Sequence, residues 1–284
     1  MEQKAAEVTR VRVELGRDDD VTYQASVAFE KALGEVAITT VADVEDAQAI
    51  VVLGGDGSLV HSVHANNFPN VPFRGINTGT LGFFMATENT EDELTRLAQS
   101  LRYGDYRVDS LSVLELSTPR YKKLGRAINE VVVKSASGQA INADVQIGEG
   151  LFNNMVGDGF IIATPSGSTA YGKSAGGPYI DQELNAYEVV AMYPYYTELD
   201  RAAIVPASKK TTITFKNTDK RPFAVNMDGF EIDQLPESAG QQWPVGENEL
   251  TFSVSEDADL KVIRLDGFDY YKNLSRKLDQ LRRP

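Results

Sequence analysis

A cluster of glycines around one aspartate is the part of the sequence best suited to chemistry. Gly54-Gly55-Asp56-Gly57-Ser58 follows a short apolar run and precedes a segment that can form a helix. Glycines let a phosphate approach backbone N–H groups, and a helix N-terminus adds partial positive charge. Asp56 in this setting can accept a proton from an attacking hydroxyl or coordinate a metal ion. A plain turn accounts for the same residues about equally well.

Two further segments carry residues suited to a polar ligand. Residues 77–84 read Asn-Thr-Gly-Thr-Leu-Gly-Phe-Phe, which alone is typical of a loop with a hydrophobic anchor. Residues 157–178 are dense in glycines and hydroxyls, which can hydrogen-bond a nucleotide, and the ring of Tyr171 can stack on a base. A solvated loop seldom needs so many positions of special backbone freedom beside an apolar strand, so this second segment favours a binding role.

Three smaller features have competing interpretations. Residues 167–174 formally match the P-loop pattern, but Ala-Gly-Gly-Pro follows and cannot continue the helix that a P-loop requires. Asn129-Glu130 offers an amide and a carboxylate to a sugar or base edge, or is simply a polar pair at a strand end. Asp228-Gly229 predicts a hairpin turn first of all.

The elements that must position these residues change in type along the chain. Helical spacing predicts a helix over residues 21–34, with Asp20 as N-cap and Gly34 as stop. Buried strands are predicted at 49–53 and 71–76, a helix at 59–65, and a capping box at Thr90 opens another helix through residue 101. Residues 11–15 are too charged to make a convincing strand. The first third is therefore predicted to be alternating α/β.

After Val108 the pattern becomes that of short strands, several of them alternating apolar and polar residues. This predicts a β-sandwich-like second domain, with the boundary near residues 106–110. A closing amphipathic helix begins at Tyr270, with an apolar stripe at Tyr271, Leu274, Leu278 and Leu281. The predicted strands cover residues 111–116, 127–134, 143–147, 159–163, 203–205, 211–215, 223–227, 250–254 and 260–265.

The composition excludes several classes of function. With 28 Lys+Arg against 41 Asp+Glu, the net charge of −13 disfavours binding to DNA or RNA. The same field repels phosphates, so a phosphate-using site would need backbone dipoles and a divalent cation such as magnesium. The absence of cysteine excludes disulfides and thiolate sites. No apolar run approaches the roughly 20 residues that span a bilayer, so we expect a cytoplasmic protein without membrane contact.

Taken together and in this order, the segments 54–58, 77–83, 129–130 and 158–178 resemble the bacterial NAD kinase family. The GGDG sequence alone also resembles diacylglycerol kinases, sphingosine kinases and phosphofructokinases. The runs at 77–83 and 164–171 are specific to NAD kinases. Ser58 and Ser166 stand where that family most often has threonine, and both keep a hydroxyl. Residues 192–197 match no loop of the family.

The resemblance implies a Rossmann-like α/β domain, a β-sandwich-like domain, a site between them, and a last helix that returns to the first domain. It implies domains at 1–107 with 266–284 and at 108–265. It also implies transfer of the γ-phosphoryl group of ATP to the ribose 2′-hydroxyl of NAD, with magnesium near Asp56, and a homodimer or homotetramer in which NAD can contact a neighbouring subunit.

The resemblance further assigns individual residues. Asp56 becomes the base or metal partner, and the phosphate loop comprises Gly54, Gly55, Gly57 and Ser58. Asp228 is a further candidate. Two alternatives stay open: another GGDG-type kinase acting on a lipid or sugar phosphate, and a non-catalytic dinucleotide sensor. The implied NAD-binding set is Asn77, Phe83, Asn129, Glu130, Asp158, Ser166, Thr169, Ala170, Tyr171 and Ser174.

Overall fold

The computed structural model of the protein describes residues 5–80, 82–198, 201–232 and 248–281. The chain divides into a first unit, Met1–Ser110 with Leu260–Pro284, and a second unit, Leu111–Asp259. Within the described residues, no helix is both long and apolar enough to cross a lipid bilayer.

The helices and strands follow one another along the chain in a fixed order. They are β1 (Arg10–Leu15), α1 (Asp20–Glu35), β2 (Thr39–Thr40), β3 (Ala49–Gly54), α2 (Asp56–Ala65), β4 (Phe73–Asn77), β5 (Thr87–Glu88), α3 (Glu91–Tyr103), β6 (Tyr106–Ser117), β7 (Gly125–Ala127), β8 (Glu130–Ser135), β9 (Ile141–Ile147), β10 (Gly150–Gly157), β11 (Gly159–Ala163), α4 (Tyr171–Ser174), β12 (Ala186–Met192), β13 (Ala202–Pro206), β14 (Thr211–Lys216), β15 (Phe223–Met227), β16 (Phe230–Glu231), β17 (Glu249–Leu265) and α5 (Tyr270–Leu281).

The first unit is an alternating α/β unit, as its sequence pattern predicts. Strands β4, β3, β1 and β2 pair in parallel in that order, and Val262 of β17 pairs in parallel with Phe73 on the far side of β4. All six residues of β3 are buried, as expected for a central parallel strand. The sheet and helices α1 and α3 share one core, which includes Phe29, Leu33 and Leu97.

Strand β1 forms although its sequence is charged. Arg12 and Glu14 form an ion pair at 2.7 Å, and the Glu14 carboxylate also accepts hydrogen bonds from Ser62 Oγ at 2.5 Å and Asn66 Nδ2 at 3.0 Å. The charged side chains on this face are therefore paired within the unit, while Val11 is buried in the core. The weak expectation for this strand was wrong because the pattern alone could not reveal these partners.

The N-cap residue was predicted correctly for α3 but not for α1. Helix α3 is capped as predicted, since Thr90 Oγ1 accepts from the Glu93 N–H at 3.4 Å. For α1 the predicted N-cap, Asp20, is wrong: the cap is Asp19, whose Oδ1 accepts from the Thr22 N–H at 2.7 Å. Three successive aspartates offer similar caps, and only the backbone geometry selects one. Gly34 lies inside the last turn rather than ending the helix.

The second unit contains two antiparallel sheets with a shared core. One sheet contains β10, β9, β14 and the start of β17, and the other has the order β13–β12–β11–β8–β15–β16. Val133 and Phe160 from the second sheet enter the same core as Val145 and Ile213 from the first. Alternate residues of each strand face this core, which is the β-sandwich-like arrangement that the sequence predicts.

Three strand assignments from the sequence need correction. The predicted strand at 127–134 is two strands, β7 and β8, and the predicted strands at 250–254 and 260–265 are one strand, β17. Strands β10 and β12, and the two-residue strands β2, β5 and β16, were not predicted. β12 is buried at every residue even though it contains Tyr187 and Glu188, and those polar atoms obscured a strand signal.

The closing helix α5 belongs to the first unit, as predicted. Leu274 of the predicted apolar stripe is buried. Tyr271 is 58% exposed, so its assignment to this stripe was wrong. The side chain of Leu281 lies outside the described residues.

Candidate active site

In the first unit, three parallel strands end at the same edge of the sheet. Gly16 follows β1 and donates its N–H to the Leu53 carbonyl of β3 at 2.8 Å. Thr78 follows β4 and donates its N–H to the Gly54 carbonyl at 3.0 Å. The carboxyl edge of an open parallel sheet is where such folds bind ligands. We call this place the glycine edge, formed by residues 16–17, 54–58, 77–80 and 82–84.

Ser58 explains why residue 54 must be glycine. Its Oγ donates to the Gly16 carbonyl at 3.2 Å and accepts from the Gly55 N–H at 3.3 Å. A Cβ on Gly54 would collide with the Ser58 side chain. The hydroxyl predicted to hold phosphates therefore also joins β1 to the start of α2, while Gly57 is exposed and has open space around it.

Asp56 is the first residue of α2, and its carboxylate is held by a second loop. Oδ2 accepts from the Phe83 N–H at 2.7 Å, and Oδ1 accepts from the Phe84 N–H at 2.8 Å. Hydrogen bonds from two amides to one carboxylate are charge-assisted and fix its orientation. The carboxylate is half-buried. The structure thus brings Asp56 and Phe83 together at the glycine edge.

Asn77 has a local role at the same edge. The side chain is buried, and its Oδ1 accepts from the Gly79 N–H at 3.1 Å. This bond shapes the turn after β4. Asn77 and Phe83 therefore belong to the glycine edge in the first unit, whereas the other implied NAD-binding residues belong to the second unit.

Arg17 is a member of the glycine edge that the sequence analysis missed. A Cβ built on Gly79 would lie 3.5 Å from both Nη1 and Nη2 of Arg17, and one built on Gly55 would lie 3.7 Å from Nη2. The exposed guanidinium therefore lies against both loops that follow β3 and β4. Arg17 lies just after β1, where residues at the carboxyl edge of a parallel sheet can reach a ligand. The sequence analysis missed it because residues 11–15 were too charged to predict a strand there.

The described ranges contain no group of three or more His, Cys, Asp or Glu side chains arranged to hold a metal ion. Asp56 supplies one carboxylate at the glycine edge. Mg²⁺ is commonly bound by one or two carboxylates together with waters and substrate phosphates. The residues present fit an ion that arrives with a phosphate ligand, and they do not form a complete cage by themselves.

In the second unit, Asp228 organises a different segment. Asp228 and Gly229 have φ values of 50° and 86° between β15 and β16, which confirms the predicted hairpin turn. The Asp228 carboxylate accepts from the N–H groups of Ile128, Asn129 and Glu130 at 2.7, 2.7 and 3.1 Å. Because these amides donate to Asp228 and not to a neighbouring strand, the strand predicted at 127–134 is interrupted and forms β7 and β8.

Asn129 and Glu130 each keep a buried polar atom without a partner. Among the described residues, none hydrogen-bonds to Asn129 Oδ1 or Glu130 Oε2. Burial, and secondly the neighbouring Asp228 carboxylate, raise the pKa of Glu130 to about 8, although the Tyr171 N–H opposes this. The raised pKa favours the protonated form of Glu130 at neutral pH, and this form can donate a hydrogen bond. Buried polar atoms without partners are costly unless a ligand or water satisfies them.

The hydroxyl-rich segment closes over Asn129. Thr164 donates its N–H to the Asn129 carbonyl at 2.8 Å and its hydroxyl to the Ile128 carbonyl at 2.6 Å. A Cβ on Gly167 would collide with the Asn129 carbonyl, so only glycine allows this approach. Helix α4 ends at Ser174, which confirms that the P-loop match is accidental.

Some of the hydroxyls are committed within the segment. Thr169 Oγ1 donates to the Ser166 carbonyl at 2.9 Å, and Ser166 Oγ accepts from Gln182 Nε2 at 3.3 Å. Ala170, Tyr171 and Ser174 are exposed. The hydroxyl proton of Thr169 is therefore used within the turn that begins at Ser166. The side chains of Tyr171 and Ser174 are accessible from solvent.

Asp158 is not brought together with Asn129 and Glu130. It precedes β11 at the end where Gly159 pairs with Lys134, whereas Glu130 pairs with Ala163 at the other end. Four residue steps along a strand span roughly 13 Å. Residues 192–197, which matched no family loop, begin beside Asp158, whose N–H donates to the Met192 carbonyl at 2.9 Å. Tyr195 in this segment is 91% exposed.

Glu188 is a second buried carboxyl group that the sequence analysis missed. It is 0% exposed on β12, and neither carboxyl oxygen has a hydrogen-bond partner among the described residues. A Cβ on Gly172 or Gly177 would collide with this carboxyl group, so both glycines pack directly on it. Burial raises the pKa of Glu188 to about 7.

Glu188 should make the stability of the protein depend on pH. Because its pKa is raised from 4.5 to about 7 on folding, the folded chain keeps a proton that the unfolded chain loses. Its contribution is complete below pH 4.5 and falls as the pH rises to about 7, with a slope approaching about 1.4 kcal/mol per pH unit. We expect Glu188→Gln to remove this component, measured by urea unfolding across that range. The exposed Glu183→Gln serves as control, and a slope unchanged by Glu188→Gln would contradict the assignment.

Comparison with known proteins agrees with the motifs. The family model for the ATP-NAD kinase C-terminal domain matches residues 128–251. The NAD kinase of Pasteurella multocida is 30% identical over 268 residues, covering 92% of this chain and 84% of that protein. The NAD kinase of Finegoldia magna is 34% identical over 195 residues, covering 65% and 71%.

Two solved structures share the fold. Yeast NADH kinase complexed with NADH has a TM-score of 0.80 at 19% identity, covering 96% of this chain and 88% of that one. An NAD kinase from Archaeoglobus fulgidus in complex with ATP has a TM-score of 0.72 at 22% identity, covering 95% and 99%. The chain belongs to the NAD kinase family and is a phosphotransferase.

Proposed function

We propose that the protein transfers the γ-phosphoryl group of ATP to the 2′-hydroxyl of the adenosine ribose of NAD, forming NADP and ADP. The observation that carries the proposal is the Asp56 carboxylate, held by the N–H groups of Phe83 and Phe84 at the glycine edge. A carboxylate fixed in this way keeps one orientation toward an attacking hydroxyl. Such positioning is the main task of an enzyme that transfers phosphoryl groups.

The donor phosphates are assigned to the glycine edge. Gly54, Gly55 and Gly57 allow close approach of a phosphate to the backbone, and the N-terminus of α2 adds positive potential. The Arg17 guanidinium against Gly55 and Gly79 supplies a full charge. A local cation matters here because the net charge of the protein is −13.

The dinucleotide is assigned to the second unit. The unpartnered Asn129 Oδ1 and Glu130 Oε2 are buried atoms that hydroxyl or amide groups of NAD can satisfy. Asp228 holds this pair in place through the backbone. Asp158 lies at the other end of β11, and we propose that it acts on NAD bound to a neighbouring subunit. We also assign to the dinucleotide the exposed or partly exposed residues of the implied NAD-binding set, which are Thr169, Ala170, Tyr171 and Ser174.

Magnesium fits the glycine edge as an ion carried by ATP and held near Asp56. The ion would neutralise charge on the donor phosphates. We also propose that the protein is cytoplasmic and that it forms a homodimer or a homotetramer.

The chemical step is a direct transfer. The 2′-hydroxyl oxygen forms a bond to the γ-phosphorus as the bond from that phosphorus to the β,γ-bridging oxygen breaks, and ADP leaves. Asp56 accepts the hydroxyl proton. General-base assistance of this kind is worth roughly 10²- to 10⁴-fold. No covalent phosphoenzyme is required.

The activity is tested by incubating the protein with NAD, ATP and magnesium and following NADP with an NADP-specific dehydrogenase. We expect NADP to form at an enzymatic rate, and parallel reactions with a diacylglycerol, sphingosine and fructose 6-phosphate to give no phosphorylated product. NAD binding without NADP formation would instead indicate a dinucleotide sensor. Phosphorylation of one of the other acceptors would indicate a different GGDG-type kinase.

Arg17 gives a residue-level test of the donor assignment. We expect Arg17→Gln to raise the KM for ATP by about tenfold, because a charge-assisted hydrogen bond to phosphate is lost, while the KM for NAD stays near the wild-type value. Arg17→Lys should recover part of the loss because it restores the charge. Lys31→Gln on the exposed face of α1 is the control. An unchanged KM for ATP in Arg17→Gln would remove Arg17 from the donor site.

A further inference from the structure

The first unit contains a polar cavity that the proposed reaction does not use. Its volume is about 270 Å³, and it lies among β4, α3, the loop after β17 and the start of α5. Sites for drug-sized ligands occupy roughly 300–1,000 Å³, so a ligand here would be small. The charged residues that line it are Arg74, Glu93, Arg96, Asp266, Asp269, Lys272 and Arg276.

Arg74 is a buried cation at the base of this cavity. Its side chain is 3% exposed, with Nε donating to Thr87 Oγ1 at 2.8 Å and Nη1 to the Ile263 carbonyl at 2.9 Å. Among the described residues, no carboxylate forms an ion pair with Arg74, and its Nη2 has no hydrogen-bond partner. A buried charge without a counter-ion is costly.

The surroundings of Arg74 increase this cost. Burial first, and then repulsion from Arg264, lower the pKa of Arg74 to about 9, although the charge of Glu93 opposes this shift. Arg264 is itself 1% exposed, and its Nε lies 3.5 Å from Asp109 Oδ2. Two guanidinium groups are thus buried near each other, and within the described part of the chain only Arg264 has an aspartate at ion-pair distance.

The acidic residues around the cavity are engaged elsewhere or outnumbered. Four cations line it against three carboxylates, and one of the cations, Arg276, pairs with Glu88 at 3.0 Å. Glu93 pairs with Arg96 at 3.5 Å, and the Asp269 carboxylate accepts from the Lys272 N–H at 2.7 Å, which caps the N-terminus of α5. The Lys272 ammonium group has no ion pair among the residues that the structure describes.

We propose that this cavity is a binding site for a small phosphate-bearing anion, separate from the glycine edge. Arg74 would face the phosphate from the base, and Lys272 would close over it from the first turn of α5. Arginine and lysine are the residues that proteins use for phosphate recognition, and the helix N-terminus adds to the same potential. The bound anion would supply the counter-ion that Arg74 lacks.

Isothermal titration of the full chain tests the site, with inorganic phosphate and glycerol 3-phosphate as probes and chloride at matched ionic strength as reference. We expect saturable binding that Lys272→Gln weakens by about tenfold or more. Lys272 is exposed, so this variant should fold, and Arg74→Met provides a second test. Lys31→Gln should bind as the wild type does. The tighter of the two probes identifies free phosphate or a phosphate monoester as the better ligand.

Phosphate binding at the glycine edge is distinguished with Arg17→Gln. Binding that persists in Arg17→Gln and is lost in Lys272→Gln supports the cavity. Binding that is lost in Arg17→Gln and kept in Lys272→Gln overturns the proposal, as does the absence of saturable binding beyond the chloride reference.

Discussion

Hydrogen bonds from backbone amides to two aspartates hold the candidate active-site segments in place. In the first unit, Asp56 accepts from the N–H groups of Phe83 and Phe84, and these bonds connect the start of α2 to the loop after β4. In the second unit, Asp228 accepts from three consecutive amides, which ends β7 and begins β8. A carboxylate with amide donors on both oxygens is both stabilised and oriented. Each unit therefore gives its functional residues a fixed backbone frame.

Charge is used differently in the two units. The first unit places exposed Arg17 against the glycine loops, which gives local positive potential in a protein whose net charge is −13. The second unit buries carboxyl groups at Glu130 and Glu188, whose pKa values burial raises to about 8 and about 7. Protonated carboxyl groups can donate hydrogen bonds where carboxylates cannot. A neutral Glu130 is thus suited to contact polar groups of a dinucleotide without repelling its phosphates.

The sequence predicts much of this arrangement because short-range rules govern it. The glycine loop lies between a buried strand and a helix, Thr90 caps α3, and Asp228-Gly229 forms a hairpin, all from local patterns. The residues missed depend on contacts far along the chain. Arg17 gains its role from loops near residues 55 and 79, and Glu188 is buried beneath residues 172–177. The choice between Asp19 and Asp20 as a cap likewise depends on backbone geometry that composition does not encode.

The role of Asp56 is tested most directly by comparing phosphoryl transfer and NAD binding in Asp56→Asn. Asparagine keeps the size of the side chain but has one acceptor oxygen, so one of the two amide hydrogen bonds from Phe83 and Phe84 is lost. The folded content, measured by circular dichroism, and the dissociation constant for NAD, which we assign to the second unit, should still stay near wild-type values. Single-turnover transfer from ATP should fall by roughly 10²- to 10⁴-fold, while the exposed Asp18→Asn leaves it unchanged. A folded Asp56→Asn protein with near wild-type transfer would contradict the proposed role of this carboxylate.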